Sequence, residues 1–266
     1  MKRSFLITAV ILASILGLTT LMSFKNDDGP DVSSGFFPQL SAYHIFKGNP
    51  QNLTPEAQFH IYTLATPLFT DYAEKQRLIR LPAGTKMTKI DEDLPNFPDS
   101  TILAKTFFYY NDKRDTSKGR RIIETRLLIK SAGIWYAATY LWNESQTDAT
   151  LQKSGANTPI SWITASGEKR TISYHVPKPK ECATCHNSND QLMPIGLKLR
   201  HLNLDIISNI GPVNQLRTLQ NEGILNEFDP HQVASTAQAF NPNSPLDARA
   251  RAYLDINCAH CHNPDG

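Results

Sequence analysis

Between positions 75 and 176 the apolar residues come in short runs, a pattern that predicts strands rather than helices. Leu78, Ile79 and Leu81 form one run, and Thr101 to Tyr110 is rich in β-branched and aromatic residues. Arg121 to Lys130 and Ile134 to Trp142 are two more, separated by the hairpin signal Ser131-Ala132-Gly133. Ile160 to Thr164 and Arg170 to Val176 flank Ser166 to Lys169, which predicts a second hairpin. Glu124 and Arg126 read as the polar outer face of their strand, and Trp135, Trp142 and Trp162 as core residues. The expected product is an antiparallel sheet or small sandwich.

Outside this stretch the pattern changes. Residues 26–52 are polar and turn-rich and read as a linker. Thr54-Pro55-Glu56 is a helix-start signal, predicting a short helix towards Leu64. After Pro177 the chain reads as loop and helix. Leu216 and Leu219 mark a helix over Asn214–Glu222, with Gly223 suited to follow its end. Ser244 as N-cap, Pro245 at the first helical position and Asp247 in the first turn open the clearest helix. Its residues Leu246, Ala250, Tyr253 and Leu254 share one face, and it runs straight into Cys258.

Ahead of all this, Lys2 and Arg3 precede an almost unbroken apolar and small-residue stretch from Phe5 to Met22, with no charge until Lys25. Residues 1–25 are therefore expected to be a secretory signal peptide or an uncleaved membrane anchor; the run suits either. Both readings place the rest of the chain in the periplasm or another extracytoplasmic space, with possible membrane association through residues 5–22.

The cysteines carry the chemistry. All four fall in two copies of Cys-x-x-Cys-His, Cys182–His186 and Cys258–His262. This spacing reads as c-type haem attachment. Two cysteines separated by two residues reach the two vinyl groups of one porphyrin edge, and the next His turns its imidazole to the iron. The expected covalent anchors are Cys182 and Cys185 for one haem c, and Cys258 and Cys261 for a second. His186 and His262 are the expected proximal iron ligands. For the distal side, Met193 is a candidate, as are His175 and His201. The four thiolates also suit one zinc site, although that leaves both histidines without a role. Two disulfides with two-residue loops would constrain little of the unfolded chain. The net charge of +2 gives no basic footprint for nucleic acid.

Beyond the motifs, several stretches resemble an uncharacterised family of exported bacterial dihaem c-type cytochromes. They are TPLFTDYAEKQRLIRLP at 66–82, ILAKTFFYY at 102–110, RRIIETRLLIK at 120–130, YLWNESQTDATL at 140–151, ECATCHNSNDQLMPIGLKLRHLN at 181–203 and ARAYLDINCAHCHNPDG at 250–266. The resemblance implies electron transfer outside the cytoplasm with redox proteins as partners, and names no substrate. The C-terminal part resembles the start of a class I cytochrome c domain, in which a helix leads into the haem motif. The chain stops four residues after His262, so that domain is expected to be incomplete.

The expected architecture is thus α+β. An antiparallel β-rich domain at 53–176 is followed by a mainly α, cytochrome c-like part, with 177–243 as the first haem-binding region and 244–266 as the start of a second domain. An electron carrier is the leading expectation. A dihaem peroxidase-like oxidoreductase, with one iron left open, is the alternative; a zinc- or disulfide-containing binding module is the second.

Overall fold

The computed structural model describes residues 35–91, 93–188 and 191–262. The expected signal or anchor at 1–25 and the start of the expected linker lie outside the described residues. Among those described, no helix is long and apolar enough to cross a membrane.

A six-stranded antiparallel sheet organises the molecule. Its strands are β1 (His60–Ile61), β2 (Glu74–Arg80), β3 (Ile102–Tyr110), β4 (Arg120–Ser131), β5 (Ile134–Trp142) and β6 (Ala149–Gln152), paired in chain order. The β4–β5 turn shows why the order is sequential. Ser131 pairs with Ile134 across Ala132 and Gly133, whose φ angles are 49° and 79°. Two positive φ values in a two-residue loop twist with the strands and close a tight hairpin, and glycine takes the second without strain.

Each face of the sheet has its own cover. On one face Leu78, Ala104, Leu127, Ala138 and Tyr140 pack against Leu40, Tyr43, Ile45 and Leu53. The expected linker is thus part of the core from at least Leu40 onward, fixed by the Tyr140 hydroxyl donating to the Phe37 carbonyl at 2.7 Å. The expected helix at 54–64 is replaced by an extended path. Phe46 bridges Pro55, and His60–Ile61 adds to the sheet edge beside β2, which buries Phe59. Local propensity yields here to tertiary pairing.

On the other face, a hairpin of β7 (Ala156–Ile163) and β8 (Lys169–Val176) brings Ile160, Trp162 and Tyr174 onto Phe107, Tyr109 and Ile123. The β3–β4 register shifts between Phe107 and Phe108. Ile123 is the extra residue of this bulge, so that it and its neighbour Glu124 both face the β7–β8 hairpin while Ile122 enters the opposite core.

The expectation of a mainly α, cytochrome c-like part after residue 176 is overturned. Among the described residues the fold is mainly antiparallel β, with four short helices and no cytochrome-like helical region. The helices are α1 (Pro179–Cys185), α2 (Leu199–Leu202), α3 (Gln215–Asn221) and α4 (Leu246–Asn257). Two-stranded ladders lie between them: β9 (Asn187–Ser188) with β10 (Gln191–Leu192), and β11 (Asp205–Ser208) with β12 (Gly211–Asn214). The physical reason is length. Pro194, Gly196, Pro212 and Gly223 punctuate the segment, and such short pieces cannot enclose a core alone. Leu197, Leu199, Leu202, Leu216 and Leu219 instead pack with Ile79 and Leu103 of the sheet. Residues from the sheet and from Leu197 to Val233 therefore pack in one cluster.

Candidate cofactor site

The first motif is placed by a capped turn. Pro179 opens α1, and the Glu181 carboxylate accepts from the Lys178 backbone N–H at 2.8 Å. That bond, then the one from His175, holds the Glu181 carboxyl below its ordinary range. Cys182 and Cys185 are three apart on this helix, so they share a face. At the helix end the His186 N–H donates to the Cys182 carbonyl at 2.9 Å.

His186 is then fixed by the β9–β10 ladder. Its Nδ1 lies 2.8 Å from the Met193 carbonyl oxygen, and the Met193 N–H donates back to the His186 carbonyl at 3.1 Å. A carbonyl only accepts, so Nδ1 carries the proton and the lone pair is on Nε2. A backbone bond of this kind fixes the tautomer of a metal-ligating imidazole and sets its orientation. Burial pushes the His186 pKa down to about 4, with Lys105, Arg126 and His260 acting in the same direction. The imidazole is neutral at pH 7, the form that ligates iron. Met193, the distal candidate of the sequence, thus meets the Nδ1 side of His186 through its backbone.

Cys182, Cys185 and His186 line a cavity of about 160 Å³ that opens to solvent, below the ~300–1,000 Å³ usual for a ligand pocket. Leu103 and Leu128 of the sheet form part of its floor, and Pro194, Leu197 and Ile256 form another side. Gly196 lets these last elements meet: a Cβ there would lie 3.1 Å from Leu64 and 3.3 Å from Ile256. Burial raises both thiols above the ordinary cysteine range; Cys185 is raised further by Cys261 beside it.

The cavity floor also carries charge. Arg77 pairs with Lys105, Lys105 with Arg126 and Arg126 with Thr139, a single rung across four strands. The three cations line the cavity, and Thr139 stands beside Cys182, its hydroxyl buried without a hydrogen bond among the described residues. Like charges directly opposite one another are unfavourable in a sheet. Glu124 offsets one of them: it is 0% exposed, and its Oε2 accepts from Arg126 Nε at 3.0 Å. Its Oε1 accepts from Arg126 Nη2 at 2.5 Å and from the Tyr174 hydroxyl at 2.7 Å. The expected polar outer face of β4 is therefore interior, because the β7–β8 hairpin and α1 cover it. Phe107 adds a ring face 4.9 Å from Lys105 Nζ and 4.5 Å from Arg126 Cζ. Trp142 and Trp162 are buried, and Trp135 packs at the edge of the core.

The second motif meets the first. The α4 helix runs into Cys258, and the His262 N–H donates to the Cys258 carbonyl at 2.9 Å, repeating the turn of the first motif. Cys261 Sγ lies 3.8 Å from the Thr184 carbonyl oxygen. Donor atoms of Cys185, His260 and Cys261 all lie within 4.8 Å of one another. His262 is exposed and stands apart from the cavity lining. The end of α4 is tethered by Asp255, which accepts from His201 Nε2 at 2.8 Å and from Arg200 Nη2 at 3.2 Å; Arg200 also bonds Asp93. His201 is thereby engaged with Asp255, and exposed His175 with Asn157 and Glu181.

Sequence reading missed Arg77 and Lys105. Lys105 had a signal, as a lone cation in the apolar stretch ILAKTFF of β3; Arg77 had none, since it follows Glu74-Lys75-Gln76 in β2. No protein-family model, curated protein or solved structure matches this chain.

Proposed function

We propose that the chain is an exported dihaem c-type cytochrome that relays electrons between redox proteins. The observation that supports this reading most is His186. It is neutral, turned inward beside two cysteines, and held by Met193 so that Nε2 alone is left to ligate. The chain's residues suit a covalently attached haem. Cys182 and Cys185 would tether it, His186 would ligate the iron, and the apolar cavity would exclude water from it. Bound haem supplies reversible one-electron chemistry. Cys258, Cys261 and His262 are proposed to hold a second haem in the same manner. The contact between the motifs would make the two haems neighbours, as a relay requires. Attachment of c-type haem takes place outside the cytoplasm, which agrees with the leader-like residues 1–25.

A second reading is favoured by one observation, the cluster of Cys185, His260 and Cys261. Two thiolates and an imidazole are zinc ligands. The two readings separate on the wild-type chain, expressed with an export signal in a host that matures c-type haem. The expected result is haem that stays with the polypeptide through denaturation, with the absorbance of a low-spin cytochrome on reduction. Stoichiometric zinc and no haem would replace the cytochrome reading with the metal–thiolate one.

A further inference from the structure

The cavity holds more positive charge than its own residues neutralise. Arg126 is paired with Glu124, but Arg77 Nη2 is buried without a partner among the described residues, in a side chain only 7% exposed. The amine of Lys105 makes no hydrogen bond or ion pair among them and lies 4.9 Å from the face of Phe107. Desolvation drives it well below the ordinary lysine range, and Arg77, Arg126 and Lys75 add to the effect, opposed by Glu124. A buried unpaired guanidinium nitrogen costs about 1–3 kcal/mol, more when charged. That nitrogen and the amine of Lys105 beside it in the rung point to an anion that the described residues do not supply.

The rung also has a direction. Thr139 stands at its Cys182 end and Arg77 at the other. Three strand spacings of ~4.8 Å put the two ends roughly 14 Å apart. A haem tethered through its vinyl edge carries its two propionates on the opposite edge. We infer that Arg77 and Lys105 bind the propionate carboxylates of the haem attached at Cys182 and Cys185, so that the β-sheet forms the anionic end of the haem pocket. This rests on the haem reading of the first motif. It gives the sheet a cofactor-binding role and explains why strands β2 and β3 carry charge in their interior. Each carboxylate would restore the charged form of its partner and relieve the repulsion along the rung.

Two measurements test it. In the first, the purified full-length chain without attached haem is titrated with haem and with haem dimethyl ester, whose carboxylates are blocked. The ester is expected to bind at least tenfold more weakly. In the second, R77M and K105M are matured with haem and their midpoint potentials compared with wild type. Removing a cation from a carboxylate disfavours the reduced, more negative state. One of the two midpoints is expected to fall by about tenfold in its equilibrium constant, or 59 mV for one electron. The other should stay in place, and R77K and K105R should keep the wild-type value. Equal affinity for haem and its ester, or unchanged midpoints in both methionine variants, overturns the inference while leaving the cytochrome reading standing. A wild-type chain that matures without haem, or that releases a non-covalent carboxylic acid on denaturation instead, overturns both.

Discussion

Replacing Glu124 with alanine is expected to destabilise the chain by about 3–5 kcal/mol, because it removes one partner of a buried ion pair. Arg126 would lose both of its carboxylate bonds, and the Tyr174 hydroxyl would lose its acceptor. The loss falls where it is least tolerable. Arg126 sits opposite Lys105, and Lys105 opposite Arg77, so the rung would hold three cations beside the cavity with no carboxylate bonded to any of them. Urea unfolding checks this: the midpoint should fall with the slope unchanged. Glu124→Gln keeps acceptor capacity and should cost less, about 1–3 kcal/mol. A loss below about 1 kcal/mol for the alanine variant would mean that Arg126 reaches solvent and that the rung is not an interior feature.

Asp255→Ala is expected to cost about 2–3 kcal/mol, from hydrogen bonds to charged groups and a buried histidine left without its acceptor. His201 is 1% exposed and gives its Nε2 to this carboxylate. Asp255 is three residues before Cys258, so the same change should release the end of α4. Hydrogen exchange over residues 246–262 should therefore accelerate more than exchange in β2–β5. The acid response should change as well. The His201 bond, then Arg200, holds the Asp255 carboxyl well below the ordinary range, so the unfolded chain binds this proton first on acidification. Its contribution is complete above the ordinary carboxylate range and is lost as pH falls below it. The stability of the alanine variant should thus decline less steeply between neutral and acid pH than that of wild type.

The β-rich half was legible because its signals are local. Short apolar runs with Ser131-Ala132-Gly133 and Ser166–Lys169 between them marked the hairpins correctly. Asn214 and Gly223 bracketed α3 for the same reason, and α4 begins at Leu246, one residue after Pro245 rather than at it. What was not legible depends on distant partners. Nothing near Leu40, Tyr43 and Ile45 shows that the far side of a sheet will bury them. The haem motifs suggested a helical surround, but the residues after Pro177 are too interrupted to build one and use the sheet instead. Cys182, Cys185 and His186 could be named from spacing alone. The rung of Arg77, Lys105 and Arg126 could not, because strand register, not sequence separation, places the three side by side.

The central claim is that α1, facing the sheet, forms a covalent haem site. The most direct measurement is the intact mass of the C182S/C185S double variant beside wild type, both matured in the same host. Wild type should carry two haems and the variant one. Equal masses after allowing for the two serines, whether both chains carry haem or neither does, would contradict the account.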